Sequence, residues 1–375
     1  LPCVRITTVA GREIVAAYDH PILTADGWIK AAEVHPGQML ALMHRPHIRG
    51  TTERSIDEFR LAGYFVGDGS VKYNSCLLTC KTPAYLADFK ACADRLGFDY
   101  HEVTRPDGIT AVSLKCRPGE SKIGIYTGQG RGYKDLQGPR KWLREIGLAG
   151  QSSKTKRIPS FVWRGMDEQV EAFLIAYFHC DGTVSYKDSG KRNIVISCST
   201  ISEGLAFDLQ RLFLRLGVSM RIRKRIAKNG FTFNRGLKNY TYYTVETTEQ
   251  DAASRFLERV RIAGPKKDKL LGFAPRRRTF DQLYWPDEVK LVEEAGEFPC
   301  RCLSVSDGDS FVADGIVVSN SVTCSIMFPV WCWTNWPWMR FIVASYSGAL
   351  SLEHAERSRD IIRSDEFLEL FPTLT

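Results

Sequence analysis

The stretch Leu61-Ala62-Gly63-Tyr64-Phe65-Val66-Gly67-Asp68-Gly69 decides how this chain is read, because Leu174-Ile175-Ala176-Tyr177-Phe178-His179-Cys180-Asp181-Gly182 repeats its plan. Phe59, Leu61, Ala62, Phe65 and Val66 recur at helical spacing and stop at an Asp-Gly pair. Around each copy the predicted order is the same: helix, Asp-Gly, strand, helix, Leu-Gly, strand, over about 57–103 and 168–226. A single Asp-Gly is an ordinary helix stop with a solvated carboxylate. Two of them at matched positions of a repeat point to a shared job.

Charge sets this repeat apart from its flanks. The 375 residues carry 51 Lys and Arg against 43 Asp and Glu, a net +8. Residues 51–283 hold 40 basic and 25 acidic side chains, or +15, whereas residues 1–50 with 284–320 come to −5 and residues 321–375 to −2. A polyanionic partner therefore belongs to the middle. Basic clusters there are candidate phosphate contacts: Arg221, Arg223, Lys224 and Arg225 along a predicted strand, and Lys266, Lys267, Arg276, Arg277 and Arg278 in loops. The segment 117–138 is Gly-rich and polar and reads as a loop or a poorly ordered arm.

The flanks read as β-structure. Residues 3–17 form two short predicted strands around a Gly turn, further short strands follow through Leu42, and the pattern returns at 288–293, 301–306 and 310–318. That last run ends in Ser319-Asn320-Ser321. An Asn amide can attack its own backbone carbonyl and cut the chain after itself, and a hydroxyl in the next position can accept an acyl group. Beyond 321 the character changes to an aromatic-rich stretch at 328–346 and an amphipathic helix from about 349 to 364. No run of about 18 apolar residues is present, so no membrane span is expected. The 11 cysteines form no metal-like array, and reduced thiols are the default expectation.

The two Asp-Gly stretches resemble the paired motifs of the LAGLIDADG homing endonucleases. That resemblance implies two helices packed backbone to backbone through Ala62, Gly63 and Ala176, with Asp68 and Asp181 brought together beneath double-stranded DNA. Two adjacent carboxylates repel each other until a divalent cation neutralises them, which makes Mg²⁺ the implied cofactor with Asp68 and Asp181 as its ligands. His179 and Cys180 depart from the acidic and small residues usual in the motif. Lys154-Thr155-Lys156-Arg157-Ile158-Pro159 resembles the block carrying an active-site Lys, and Lys156 is the candidate, stabilising charge or orienting the attacking water; a solvated Lys is the alternative. The Arg221–Arg225 run alternates as a sheet saddle in the major groove requires.

The flanks resemble an intein of the hedgehog/intein (Hint) fold: Gly11 to Thr24, through Gly27-Trp28, the second block, and 301–321 the last two. The resemblance implies that His20 polarises the upstream splice junction, Asn320 cyclises and Ser321 takes the acyl group, with no cofactor. Three positions depart from the pattern: Ala17 stands for Thr, Ser319 for the penultimate His, and Cys302 for Asp. Cys302 is open as an acid-base surrogate, a thiol nucleophile or a buried Cys. The first block, with its Cys or Ser nucleophile, is missing, so an N-terminal intein and extein segment is the expected partner. Residues 321–375 resemble a phage terminase large subunit just after its Walker A loop.

The expectation is thus an α+β multidomain chain. A β-rich splicing domain (1–50 and 284–320) is interrupted by a two-repeat αβ endonuclease (51–283) and followed by the start of a terminase extein (321–375). The expected setting is the cytoplasm of a bacterial or phage-infected cell, and the expected activity Mg²⁺-dependent double-strand DNA cleavage. A DNA-binding remnant without cutting activity, inside a splicing-defective intein fragment, is the alternative. A plain ATPase fragment is discouraged, because no Gly-Lys-Ser/Thr occurs in the chain.

Overall fold

The computed structural model describes residues 1–46, 48, 50–71, 76–117, 124–127, 130–133, 138–186, 194–232, 236–269, 284–300, 310–319, 326–341 and 348–371. Along the chain come β1 (Pro2–Thr8), β2 (Glu13–Ala17), β3 (Pro21–Thr24), β4 (Gly27–Lys30) and β5 (Met39–Met43). The first repeat follows as α1 (Ile56–Val66), β6 (Gly69–Ser70), β7 (Leu77–Cys80), α2 (Pro83–Arg95), β8 (Asp99–Thr104) and β9 (Thr110–Lys115). Next are β10 (Gly124–Thr127), β11 (Gly130–Tyr133), α3 (Pro139–Glu145) and α4 (Ser160–Trp163). The second repeat is α5 (Asp167–Asp181), β12 (Gly182–Tyr186), β13 (Ile194–Thr200), α6 (Glu203–Arg215), β14 (Arg221–Thr232) and β15 (Gly236–Thr247). The chain continues with α7 (Gln250–Arg259), α8 (Pro265–Asp268), β16 (Tyr284–Glu297), β17 (Ser310–Ala313), β18 (Ile316–Ser319), α9 (Phe328–Asn335), α10 (Gly348–Ile362) and α11 (Asp365–Leu370).

These elements form two compact units, Leu1–Met43 with Gln282–Thr375, and His44–Asp281. The first is built on one sheet of order β17-β18-β3-β5-β16-β1-β2, with β4 paired to β3. Alternation along its strands turns Ile6, Ile14, Ile22, Leu40, Ile316 and Val318 inward to one core. The β17–β18 hairpin turns on Asp314 and Gly315, both at positive φ (53° and 89°), the conformation an Asp-Gly type I′ turn needs. Buried Asp287 of β16 accepts from Thr8 at 2.9 Å and pairs with buried Arg12 at 3.4 Å. That buried pair holds the two distant chain segments of this unit in one sheet.

In the second unit the repeat is carried further than the sequence pattern reaches. Each copy closes a four-stranded antiparallel sheet of the same order, β6-β7-β9-β8 and β12-β13-β15-β14. The fourth strands, β9 and β15, lie beyond the predicted ends at 103 and 226. The 117–138 segment also differs from the expected loop, since β10 and β11 pair as a hairpin within it. Backbone pairing between short Gly-containing strands needs no apolar alternation, so no pattern announced it. Among the described residues no helix is long and apolar enough to cross a membrane.

Candidate active site

Helices α1 and α5 pack so closely that side chains at certain positions would not fit. A Cβ on Gly63 would overlap the Phe173 carbonyl oxygen, and one on Gly67 would lie 2.5 Å from the Cys180 Cβ. Ala62, Ala176 and Gly63 are fully buried in this contact. Small residues thus let two backbones meet side by side, which brings the two helix C-termini to one place. Ser55 starts α1 with a capping box, accepting from the Glu58 N–H while Glu58 accepts from the Ser55 N–H.

Asp68 and Asp181 both line one cleft of about 450 Å³, together with Lys156, Ser153 and Tyr242. Burial is the chief cause raising each carboxyl's pKa. Asp181 is pushed up to about 7, the charge of Asp68 adding to burial, while Lys156 and Lys266 pull in the other direction. For Asp68 the same two lysines oppose the burial effect. The Tyr177 hydroxyl is buried beside Asp181 and makes no hydrogen bond of normal geometry.

Two lysines hold the helix ends. Lys156 is buried and donates to the Gly67 carbonyl at 2.7 Å and the Gly69 carbonyl at 2.9 Å. Its pKa is lowered by burial and raised in part by Asp181 and Asp68. Lys266 donates to the carbonyls of Phe178, His179 and Cys180 at 2.8, 2.7 and 3.1 Å. Cations on the last carbonyls of a helix satisfy orphan acceptors and complement its dipole. Lys266 was expected among loop phosphate contacts; its three donors are instead spent inside the protein.

His179 is part of the same lock. Its ring stacks on Tyr85 at 4.1 Å, its Nε2 accepts from the Ala263 N–H at 3.1 Å, and its Nδ1 lies 3.0 Å from the Tyr64 hydroxyl. Tyr64 donates its own proton to Asp88 at 2.6 Å, so the Nδ1–H of His179 donates to Tyr64. Burial, then Arg60 and Lys266, push His179 down to about 3, which keeps it neutral at physiological pH. Cys180 packs its thiol against Asp68 and the α1 backbone, and burial holds its pKa far above the ordinary thiol value.

No metal-binding cluster of three or more His, Cys, Asp or Glu occurs among the described residues. Two carboxylates that share a cleft, Asp68 exposed and Asp181 half-buried, are a poor site for zinc, which takes most of its ligands from protein N and S atoms. They suit a hard cation such as Mg²⁺, which binds through one or two carboxylates and completes its shell with water and phosphate oxygens. The residues present fit that cation.

Of the basic candidates, Arg221, Arg223 and Arg225 alternate along β14 and share one face, opposite to partly buried Ile222. Arg223 and Arg225 pair with Glu246 at 2.6 and 3.5 Å, and Arg221 lies 3.9 Å from Glu249. Tyr240 and Tyr242, which line the cleft, belong to the neighbouring strand β15 and were not singled out from sequence. Lys224 projects the other way, over the Tyr243 ring. Lys267 is exposed on α8, and Arg276, Arg277 and Arg278 lie outside the described residues.

In the other unit, His20 precedes β3 with its ring 6.4 Å from that of Phe311 on β17, edge to face. Burial lowers its pKa while Asp19 raises it. β18 runs beside β3, with Val318 opposite Ile22. Thus the strand leading to Ser319 lies next to the strand that follows His20. Asn320, Ser321 and Cys302 lie outside the described residues.

Comparison with known proteins gives a family match for the second copy. Residues 168–261 match the family model of the LAGLIDADG-like domain. The match covers the second repeat and its closing helix α7. Curated relatives include a replicative DNA helicase DnaB of Rhodothermus marinus, 28% identical over 271 residues, covering 71% of this chain and 27% of that protein. Protein RecA of Mycobacterium tuberculosis is 28% identical over 305 residues, covering 75% of this chain and 35% of its own length. The chain therefore spans about a third or less of the length of either relative. Among solved structures, variants of the homing endonuclease I-DmoI align with 56% of this chain and 97% of their own, at 13% identity and a TM-score of 0.31.

Proposed function

We propose that the unit His44–Asp281 is a divalent-metal-dependent endonuclease that cuts double-stranded DNA. The carrying observation is that α1 and α5 deliver Asp68 and Asp181 to one cleft that also holds Lys156. Mg²⁺ is the proposed cation, held by Asp68 and Asp181; when bound it supplies positive charge to the phosphate undergoing cleavage. Lys156 spends two of its three N–H groups on Gly67 and Gly69 and keeps one for a phosphate oxygen or an attacking water in the cleft it lines. The arginine face of β14, with the +15 balance of residues 51–283, supports docking onto a polyanion. The LAGLIDADG-like domain match supports the same reading.

The flanking sheet is proposed to be a protein-splicing domain in which His20 activates the upstream junction, Asn320 cyclises and Ser321 accepts the acyl group. Its support is the β18–β3 pairing beside His20, and the kind of relatives the chain has. One chain matches a replicative DNA helicase DnaB and a protein RecA, over only 27% and 35% of their respective lengths. A segment shared by proteins so differently named has the distribution of an insert. Residues 321–375 would then begin the downstream host, for which a terminase large subunit is proposed.

The test uses a plasmid carrying the uninterrupted host gene and the purified full chain. Mg²⁺-dependent linearisation that disappears in both Asp68→Asn and Asp181→Asn is the expected result. Full cutting by either variant would remove these carboxylates from the mechanism. For splicing, release of the 321–375 segment should stop in Asn320→Ala, and continued release would refute cyclisation at that residue.

A further inference from the structure

Cys3 and Cys300 meet in the β-sheet unit. Cys3 lies near the start of β1, opposite Gly296 of β16, and Cys300 follows the end of that same strand. Their Sγ atoms are 3.6 Å apart. Backbone pairing continues past β16, where the Phe298 N–H donates to the Leu1 carbonyl at 3.1 Å. The two thiols are therefore presented to each other by a paired backbone. Cys3 is a buried residue and Cys300 an exposed one. Cys76, Cys92 and Cys198 differ, since each is buried in the core of the other unit.

We propose that Cys3 and Cys300 are an oxidisable thiol pair that closes to a disulfide on meeting a small-molecule disulfide such as oxidised glutathione. A disulfide needs its sulfurs at about 2.05 Å, so the contact must shorten by roughly 1.5 Å, within reach of side-chain rotation. Exposed Cys300, as thiolate, attacks one sulfur of glutathione disulfide, giving a mixed disulfide and one glutathione thiolate. Cys3 loses its proton to solvent and attacks the Cys300 sulfur, expelling the second glutathione. Two protein thiols are oxidised and one glutathione disulfide is reduced to two thiols. The bond closes a loop running from β1 to the end of β16, which encloses the whole second unit. Long closed loops gain most from a cross-link, because the unfolded chain loses most freedom.

The full chain is incubated with oxidised or reduced glutathione, free thiols are alkylated, and peptides are mapped without reduction. A peptide pair joined through Cys3 and Cys300, lost on adding reductant, is the expected result. The thermal midpoint of the sheet unit should rise by roughly 5 °C on oxidation in the parent chain and not in Cys300→Ser. Cys3 recovered fully alkylated after oxidation, or joined to Cys302 instead, would overturn the assignment. Because the map is read on the unmutated chain, poor folding of the variant leaves it decisive.

Discussion

The ends of α1 and α5 occupy matched positions of the two copies and differ in how they are held. α1 stops at Val66 and leaves Gly67 and Asp68 beyond the helix, while α5 runs through Asp181 itself. Lys156 bridges two carbonyls at the first end and keeps a free N–H; Lys266 spends all three on the second. Neutral His179, stacked on Tyr85, ties the second end to the 263–266 segment, whereas the matching position in the first copy is Val66, a buried apolar residue. The difference teaches that two carboxylates can share one cleft while their supports divide the work. One lysine faces the cleft with capacity to act, and the other stiffens the scaffold.

Removing either carboxylate should give the largest effect. Asp68→Asn or Asp181→Asn is expected to lower the single-turnover cleavage rate by at least about 10³-fold, since each takes away charge that holds the metal. A variant that cuts one strand and spares the other would sharpen the comparison by assigning each carboxylate to its own strand. Next comes Lys156→Met, for which a loss of about 10²-fold in rate is expected. Lys266→Met should instead lower stability, by about 1–3 kcal/mol in chemical denaturation, because three carbonyls lose their donor. If Lys266→Met abolished cutting at unchanged stability, the division of labour would be broken.

The pH response is smaller and follows from Asp181. Its carboxyl titrates near 7 instead of 3.8, so the folded chain binds that proton more tightly than the unfolded chain does. Stability from this group is full below the unfolded pKa and is lost as pH rises from about 4 through 7. Asp181→Asn removes the penalty and should raise the denaturation free energy at pH 8, by about 1–4 kcal/mol, while leaving pH 4 nearly unchanged. In the unmutated chain, apparent Mg²⁺ affinity by titration calorimetry should fall as pH drops below 7. An affinity flat between pH 6 and 8 would show that Asp181 is already ionised without metal.

Much of the site was legible because it is written as local repetition. Helical spacing, small residues and a terminal Asp-Gly occur twice, and each feature acts within one turn of its neighbours. Lys156 was singled out through its block and lines the cleft. Lys266 was misplaced among surface contacts because a lysine in a loop shows nothing about which carbonyls come within reach of it. Tyr240, Tyr242 and Ser153 carry no pattern; they belong to the cleft only because β15 and the segment before Lys156 fold to its rim. Lys224 belongs to the same basic run in sequence but lies over the Tyr243 ring, because a strand sends neighbours to opposite sides.

By itself, then, the sequence determined the repeat, the helix pair and the carboxylate ends, since these rest on spacing and on residue size along one chain segment. The tertiary structure alone decided the rest. It set which lysine serves as helix support, how far Asp181 is shifted by burial beside Asp68, and that Cys3 meets Cys300 from the far end of β16. Distance between groups and their removal from water arise from packing remote segments together, and neither is encoded in any local run of residues.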